Sequence, residues 1–137
     1  MKSTRINLNR IYISGPMTGM PEFNYPAFHA AARRLRQAGW DVINPAENFG
    51  GCTDLPREVY MRLDVTHMVA CSAIAMLPGW RTSRGARVEY LLAHELGMEI
   101  LDAETLQPLA DAPAACVVLV LPANHTRLMS LIAEAGQ

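Results

Sequence analysis

Short apolar runs alternate with amphipathic segments along the first hundred residues of this 137-residue chain. The apolar runs predict strands at residues 10–14, 40–44, 73–77 and 98–101. Between them, apolar residues recur at helical spacing and predict helices over residues 25–38, 54–71 and 83–97. The run at 73–77 is almost wholly apolar, which is typical of a strand buried on both faces. Repeated alternation of strand and helix predicts an α/β fold with a parallel sheet.

Residues at the element ends support these boundaries. Asn24 is the expected N-cap of the first helix, and Pro26 stands where a first helical turn tolerates proline. Gly39 is expected just past the end of that helix. Ser83 is the expected N-cap of the third helix. These positions agree with the helices that the apolar spacing predicts.

The end of the chain is less regular. Residues 102–113 are predicted to be irregular, followed by a fifth strand at 117–121 and a last helix at 124–134. The whole chain is therefore expected to be one flavodoxin-like or Rossmann-like α/β domain with three layers and four to five parallel strands. Residues 10–101 form its predicted core, and residues 102–137 form a C-terminal extension.

Composition excludes several functional classes. Half of the residues are hydrophobic, and 12 Lys and Arg against 13 Asp and Glu give a net charge of −1, so duplex nucleic acid is not an expected partner. The first ten residues lack the apolar run of a signal peptide, and the apolar run at 116–121 is too short to cross a membrane. Three separated cysteines and scattered histidines indicate free thiols, a cytoplasmic location, and no metal or redox cofactor.

The candidate chemistry lies in the loops that follow the predicted strands. In open parallel sheets, ligands bind beyond the carboxyl ends of the strands, which here are followed by residues 15–19, 44–48 and 78–85. The first and third loops are rich in glycine and small polar residues. Both lead toward helix N-termini, where unpaired N–H groups favour anions.

Two acidic residues are candidates for catalysis. Glu89 follows Gly85 by about one helical turn in the helix that Ser83 opens, so its carboxylate can face the cleft at the helix end. Alone, Glu89 would be taken for an exposed helical glutamate. Asp64 lies in a helix that is apolar on most sides, and it is either a functional acid or the structural partner of an arginine, Arg62 or Arg87.

Three sequence blocks resemble the nucleoside 2-deoxyribosyltransferase-like superfamily, nearest to a branch of small bacterial and phage proteins. Residues 12–19 (YISGPMTG) resemble its first strand and substrate loop. Asp64 resembles the helix aspartate before its third strand, and residues 77–89 (LPGWRTSRGARVE) resemble the segment that carries its catalytic glutamate. Each block alone is a weak indication, whereas three in order over residues 10–101 are a strong one.

The resemblance implies an enzyme that cleaves the bond between a base and ribose or deoxyribose. Glu89 would be the nucleophile at the anomeric carbon, Asp64 would contact the substrate and handle the leaving-group proton, and Tyr12 would orient or polarise the nucleophile. Water as acceptor makes the enzyme a hydrolase, and a second base makes it a transferase. The residues implied in substrate binding are Gly15, Pro16, Met17, Thr18, Gly19, Trp80, Ser83, Gly85 and Ala86. Trp80 would either stack on a base or cover the sheet edge.

One group in the superfamily, the 2′-deoxynucleoside 5′-phosphate N-hydrolases, has the spacing Ser-x-Gly-x-x-x-Glu, which this chain matches from Ser83 to Glu89. There the serine and glycine help to hold a 5′-phosphate, and Thr18 and Gly19 would complete that site. The phosphate-binding relatives carry an arginine where this chain has Thr18 or its neighbours, and Arg81 and Arg84 are candidates to replace it.

A second departure favours a different function. The superfamily often has another acid eight residues after the helix aspartate, where this chain has Ser72. Its loss favours a nucleotide-binding module without turnover. A third alternative is an NAD-type glycohydrolase, because that enzyme class also cleaves an N-riboside.

A homo-oligomer, most simply a two-fold dimer, is the expected assembly. The segments 59–69 and 88–96 are apolar over more than one narrow stripe, which one sheet cannot cover. The superfamily also implies pockets completed by a neighbouring subunit. Residues 17–23 and the C-terminal segment are the candidates for reaching across.

Overall fold

Four parallel strands form one sheet in the computed structural model, which describes residues 7–51 and 54–109. The strands are β1 (Asn7–Ser14), β2 (Asp41–Ile43), β3 (Cys71–Met76) and β4 (Glu99–Asp102). Their order across the sheet is β2-β1-β3-β4, and each neighbouring pair is parallel. This is the order of a flavodoxin-like, doubly wound sheet, so the predicted fold class is confirmed.

Three α-helices connect the strands and cover both faces of the sheet. They are α1 (Tyr25–Gln37), α2 (Arg57–Met68) and α3 (Arg84–Glu95). Short 3-10 turns stand at Pro21–Asn24, Pro45–Gly51 and Trp80–Thr82. Phe28 and Leu35 of α1 pack in one buried cluster, whereas Met68 of α2 and Tyr90 of α3 pack in another. The domain therefore has three layers, with α1 on one face and α2 and α3 on the other.

The two clusters meet opposite faces of β1. Ile11 and Ile13 belong to the α1 cluster, and Tyr12 belongs to the α2–α3 cluster. Side chains alternate between the faces of a strand, so Ser14 points to the same face as Tyr12. All four side chains are at most 1% exposed. The strand thus places two hydroxyl groups in the layer between the sheet and α2–α3.

The order of the strands reverses at β1, which pairs with β2 on one side and with β3 on the other. The carboxyl ends of β1 and β3 therefore flank the crevice in which such folds bind ligands. The two ends approach each other closely, because the Leu77 amide donates a 2.8 Å hydrogen bond to the Ser14 carbonyl. A Cβ atom at Gly15 would lie 2.7 Å from the Cβ of Leu77, so this position requires glycine.

Several predicted boundaries differ from the structure. The second helix begins at Arg57 and ends at Met68, because Cys71 already pairs in β3. The predicted loop after β2 contains the 3-10 turn Pro45–Gly51. Asn24 occupies the predicted N-cap position of α1, but its backbone is left-handed (φ 59°) and its side chain donates to the Pro16 carbonyl at 3.0 Å instead of capping the helix. The Asn24 side chain thus binds the loop that precedes α1 and does not cap the helix.

Other local predictions are confirmed. The Ser83 hydroxyl accepts a hydrogen bond from the Ala86 amide at 3.3 Å and caps α3, and Gly39 has the positive φ (99°) expected after α1. Cys71 is a buried free thiol whose pKa is raised by burial to about 11. The predicted fifth strand, the last helix, Cys52 and Cys116 lie outside the described residues.

Beyond β4 the chain turns sharply. The Asp102 carboxylate accepts hydrogen bonds from the Glu104 and Thr105 amides, and the Leu109 amide then donates to the Ile100 carbonyl. The segment predicted as irregular thus begins with a tight turn that returns along β4. Among the described helices, none is long and apolar enough to cross a membrane.

Candidate active site

Glu89 is a buried carboxylate that two hydroxyl groups hold by both oxygens. The phenol of Tyr12 donates to Oε2 at 2.5 Å, and the hydroxyl of Ser14 donates to Oε1 at 2.8 Å. Glu89 is 6% exposed, and both donors are 1% exposed. Charge-assisted hydrogen bonds of this kind are stronger than those between neutral groups. The three side chains form a fixed unit between β1 and α3.

Local sequence explains how the unit is assembled. Tyr12 and Ser14 are two positions apart on β1 and therefore share a face. The Ser83 cap fixes the start of α3, and Ala86, Tyr90 and Ala93 bury one side of that helix. Glu89 lies on this buried side and is thereby directed at the two hydroxyls.

Burial raises the pKa of Glu89 from 4.5 to about 7. The hydrogen bonds from Tyr12 and Ser14 act in the opposite direction because they stabilise the ionised form, and the charge of Asp64 raises the pKa further. Both protonation states of Glu89 are therefore populated near neutral pH. Perturbed carboxyls in a cleft are typical of functional sites.

Tyr12 remains a proton donor over the whole physiological range. Burial raises the pKa of its phenol well above 10, and the neighbouring carboxylate of Glu89 raises it further. The Tyr12 hydroxyl thus stays protonated and donates to Glu89.

Asp64 lies on α2 and lines the same cleft as Glu89. Burial raises the pKa of Asp64 to about 6, and a 3.1 Å hydrogen bond from the Asn48 amide opposes that rise. The structure thus gives the Asp64 carboxyl an amide donor from the 3-10 turn after β2. It also makes Asp64 the second carboxyl in the cleft that titrates close to neutral pH.

The cleft has two connected compartments. The inner one, about 90 Å³ in volume, contains Glu89 and Asp64. The outer groove, about 400 Å³, contains Arg57 and Arg84, which are the first residues of α2 and α3. Four residues line both compartments, namely Thr18, Arg57, Ser83 and Gly85. The two carboxyls thus lie in the inner compartment, Arg84 lies in the outer groove, and Arg57 borders both.

Most of the site residues predicted from sequence meet in this cleft. The inner compartment is lined by Tyr12, Gly15, Met17, Thr18, Asp64, Ser83, Gly85, Ala86 and Glu89. Pro16 lines the outer groove, and Gly19 lies in the adjoining turn with a φ of 81°.

Of the two roles expected for Trp80, stacking on a base or covering the sheet, its surroundings favour the second. Its side chain is 3% exposed and stacks on Tyr90, with ring centroids 4.5 Å apart. The guanidinium of Arg81 lies over its ring, 4.8 Å from the centroid. Trp80 is therefore a packing residue on the α2–α3 face, and Arg81 is engaged with it.

The structure also adds residues that the sequence reasoning missed. Ser14 has a recognisable signal, because it follows Tyr12 by two positions in a strand. Arg57, Tyr60 and Met61 line the cleft from the start of α2, and Asn48 reaches Asp64 from a 3-10 turn. Only the tertiary arrangement brings these four residues to the site.

Ser72, at the position of the missing second acid, belongs to the sheet. Its hydroxyl donates to the Arg10 carbonyl at 3.3 Å, near the start of β3. Among residues 7–51 and 54–109, no group of three His, Cys, Asp or Glu side chains is placed to hold a metal ion.

The region of the chain that forms this cleft matches a known protein family. The family model described as "Domain of unknown function (DUF4406)" matches residues 9–102. The chain belongs to the DUF4406 family. The matched region extends from β1 to the end of β4, so every residue that lines the two compartments lies within the DUF4406 domain. No curated protein and no solved structure matches the chain.

Proposed function

We propose that this DUF4406 domain cleaves the N-glycosidic bond of a nucleoside 5′-monophosphate, with Glu89 as the nucleophile, and passes the sugar to water or to a second base. The observation that carries the proposal is the buried Glu89 carboxylate, held by Tyr12 and Ser14 in a cleft that also contains Asp64. A carboxylate kept by burial near its ionisation midpoint can attack carbon and later leave again. The resemblance of three sequence blocks to deoxyribosyltransferase-like enzymes supports the same chemistry.

In the first step, one oxygen of the Glu89 carboxylate attacks the anomeric carbon of the sugar. The bond from that carbon to the base nitrogen breaks, and the base leaves with the electron pair. Protonated Asp64 supplies a proton to the leaving base. The product is a glycosyl ester on Glu89, as in retaining glycosidases.

In the second step, water or a second base attacks the same carbon. The ester bond to Glu89 breaks and restores its carboxylate, while Asp64 takes up the proton that the acceptor releases. Two displacements at one carbon retain the configuration of the sugar. The nature of the acceptor decides between hydrolysis and transfer.

The outer groove supports a phosphorylated substrate. Arg57 and Arg84 supply positive charge, and the amides at the start of α3 favour an anion. Thr18, Ser83 and Gly85 line both compartments, so a sugar beside Glu89 can direct its 5′ substituent into the groove. Arg57 and Arg84 are the proposed replacements for the loop arginine of phosphate-binding relatives.

The experiment is incubation of the purified protein with nucleosides, nucleoside 5′-monophosphates and NAD, followed by chromatographic detection of free base. We expect base release from one or more nucleoside 5′-monophosphates and none with Glu89→Gln. Release from NAD alone would favour a glycohydrolase instead. Saturable nucleotide binding without release from any compound would favour a binding module, which the serine at position 72 makes the second candidate.

We also propose that the domain works as a homodimer. Val59 on α2, Val69 just after α2 and Leu96 just after α3 are 37%, 43% and 52% exposed. Exposed apolar side chains on the face that carries both helices support an interface. Light scattering at micromolar concentration tests this proposal. A mass near the 15.1 kDa of one chain would exclude the dimer, and twice that mass would support it.

A further inference from the structure

Ser14 donates the second of the two hydrogen bonds that hold the Glu89 carboxylate, and the steps proposed above do not say what this bond contributes to the reaction. Its hydroxyl donates to Oε1, whereas Tyr12 donates to Oε2. A single donor would hold one oxygen and leave the carboxyl group able to rotate about its last bond. Two donors from one strand fix both oxygens and the plane of the carboxylate.

The backbone of Ser14 is also well anchored. Ser14 is the last residue of β1 and pairs with Met76 of β3, and its carbonyl accepts the 2.8 Å hydrogen bond from Leu77. Gly15, the next residue, is packed against Leu77. The hydroxyl of Ser14 therefore projects from a rigid position at the crevice, which is the requirement for orienting a reacting group.

We propose that Ser14 is a positioning residue for Glu89, whose hydroxyl keeps the carboxylate ionised and oriented for attack. This assignment rests on the proposed function for its catalytic consequence, and on the two hydrogen bonds for its structural basis. Removing the hydroxyl leaves Oε1 without this donor in a nearly closed site. A buried carboxylate that loses a donor shifts toward its protonated, non-nucleophilic form.

Other charged and titratable groups near Glu89 are the same in wild type and in the Ser14 variants. They are Tyr12 on β1 and Arg57, Tyr60 and Asp64 on α2, all of which line the inner compartment. None of them is changed when Ser14 is replaced. A change in the titration of Glu89 in a Ser14 variant is therefore assignable to the lost hydroxyl.

The first measurement is the carboxyl 13C NMR titration of Glu89 in the complete protein. Ser14→Ala is expected to raise the midpoint by about one pH unit, because hydrogen bonds to charged groups are the stronger ones. Ser14→Cys replaces the hydroxyl by a slightly larger thiol, which is a weaker donor. Its Glu89 midpoint is therefore expected between those of wild type and Ser14→Ala. Ser14→Cys also provides the test if Ser14→Ala does not fold. Ser72→Ala is the matched control, since it removes the hydroxyl of another strand serine, which donates to the Arg10 carbonyl and not to a carboxylate of the cleft.

The second measurement is kcat/KM against pH for the substrate found in the panel. Ser14→Ala is expected to move the alkaline limb, which follows the higher pKa of the pair, to higher pH, and to lower kcat about tenfold at neutral pH with little change in KM. Unchanged Glu89 midpoints in both Ser14 variants would overturn the proposal. If the wild-type protein releases no base, the proposed function fails, and the NMR titration still decides the role of Ser14.

Discussion

The phenol of Tyr12 donates a 2.5 Å hydrogen bond to Oε2 of Glu89, joining β1 to α3 across 77 positions of the sequence. A buried acid is costly unless it is paired or hydrogen-bonded, and here the strand supplies the partners. The arrangement holds a reactive carboxyl at the point where the strand order reverses.

The proposed reaction requires one of the two carboxyls in the cleft to be ionised and the other to be protonated. Burial raises the pKa of Glu89 to about 7 and that of Asp64 to about 6. The active form has Glu89 ionised and Asp64 protonated, which is the less populated of the two singly protonated forms because Asp64 has the lower pKa. We expect a bell-shaped profile of kcat/KM against pH, with its maximum near these values and its two apparent pKa values belonging to the pair. Asp64→Asn should abolish the alkaline limb and lower the maximum. An unchanged profile in that variant would exclude Asp64 as the proton donor.

The same two carboxyls make the fold less stable as pH rises. Because their pKa values are raised from 4.5 and 3.8 in the folded protein, the folded state binds more protons than the unfolded chain. Their contribution to stability is complete below about pH 4 and is lost as pH rises to about 7. For Glu89 the loss is on the order of 3 kcal/mol.

Thermal unfolding of wild type and Glu89→Gln between pH 4 and pH 8 checks this sign. Glu89→Gln is expected to unfold at a higher temperature than wild type at pH 8 and to show a flatter pH dependence. The exposed ion pairs Arg10–Asp41 and Arg36–Glu47 contribute little to the comparison. A greater loss of stability in the variant at pH 8 than at pH 5 would contradict the account.

Arg57 is expected to discriminate phosphorylated from unphosphorylated substrates. It is exposed at the start of α2 and lines both compartments. Arg57→Ala should raise KM for nucleoside 5′-monophosphates about tenfold or more, with a smaller effect on nucleosides. Arg62→Ala removes another exposed arginine from the same helix and serves as the control. Equal effects of Arg57→Ala on both substrate classes would remove the phosphate role.

Replacing Gly85 by alanine tests whether glycine is needed there for substrate binding and not for folding. A Cβ atom there would meet only the Met61 methyl at 3.8 Å, so the described part of the protein has room for alanine. Gly85→Ala should stabilise α3 by about 0.5–1 kcal/mol and still lower base release, since the methyl group enters the cleft. Gly15→Ala, by contrast, should destabilise the fold, because its Cβ would lie 2.7 Å from Leu77. Full activity of Gly85→Ala would mean that substrate does not approach this backbone.

The sequence predicted the parts of the site that lie within single elements. Apolar spacing and glycine positions located the strands, and Ser83 with Glu89 defined the start of α3. Strand alternation would also have identified Ser14, given Tyr12. Asn48 and Arg57 reach the cleft only through the packing of α2 and a 3-10 turn, for which no local pattern exists. The two roles left open for Trp80 could not be separated from sequence, because a loop position does not reveal that its ring stacks on Tyr90.

A covalent bond between Glu89 and the sugar distinguishes the proposed mechanism from direct attack by water. Mass spectrometry of the protein quenched during turnover detects this bond, with a 2-deoxy-2-fluoro nucleoside 5′-monophosphate used to slow breakdown of the ester. We expect a sugar-phosphate adduct on the peptide that contains Glu89, and neither adduct nor base release in Glu89→Gln. Base release by wild type with inverted configuration and no adduct, or release by Glu89→Gln at the wild-type rate, would contradict the proposed mechanism.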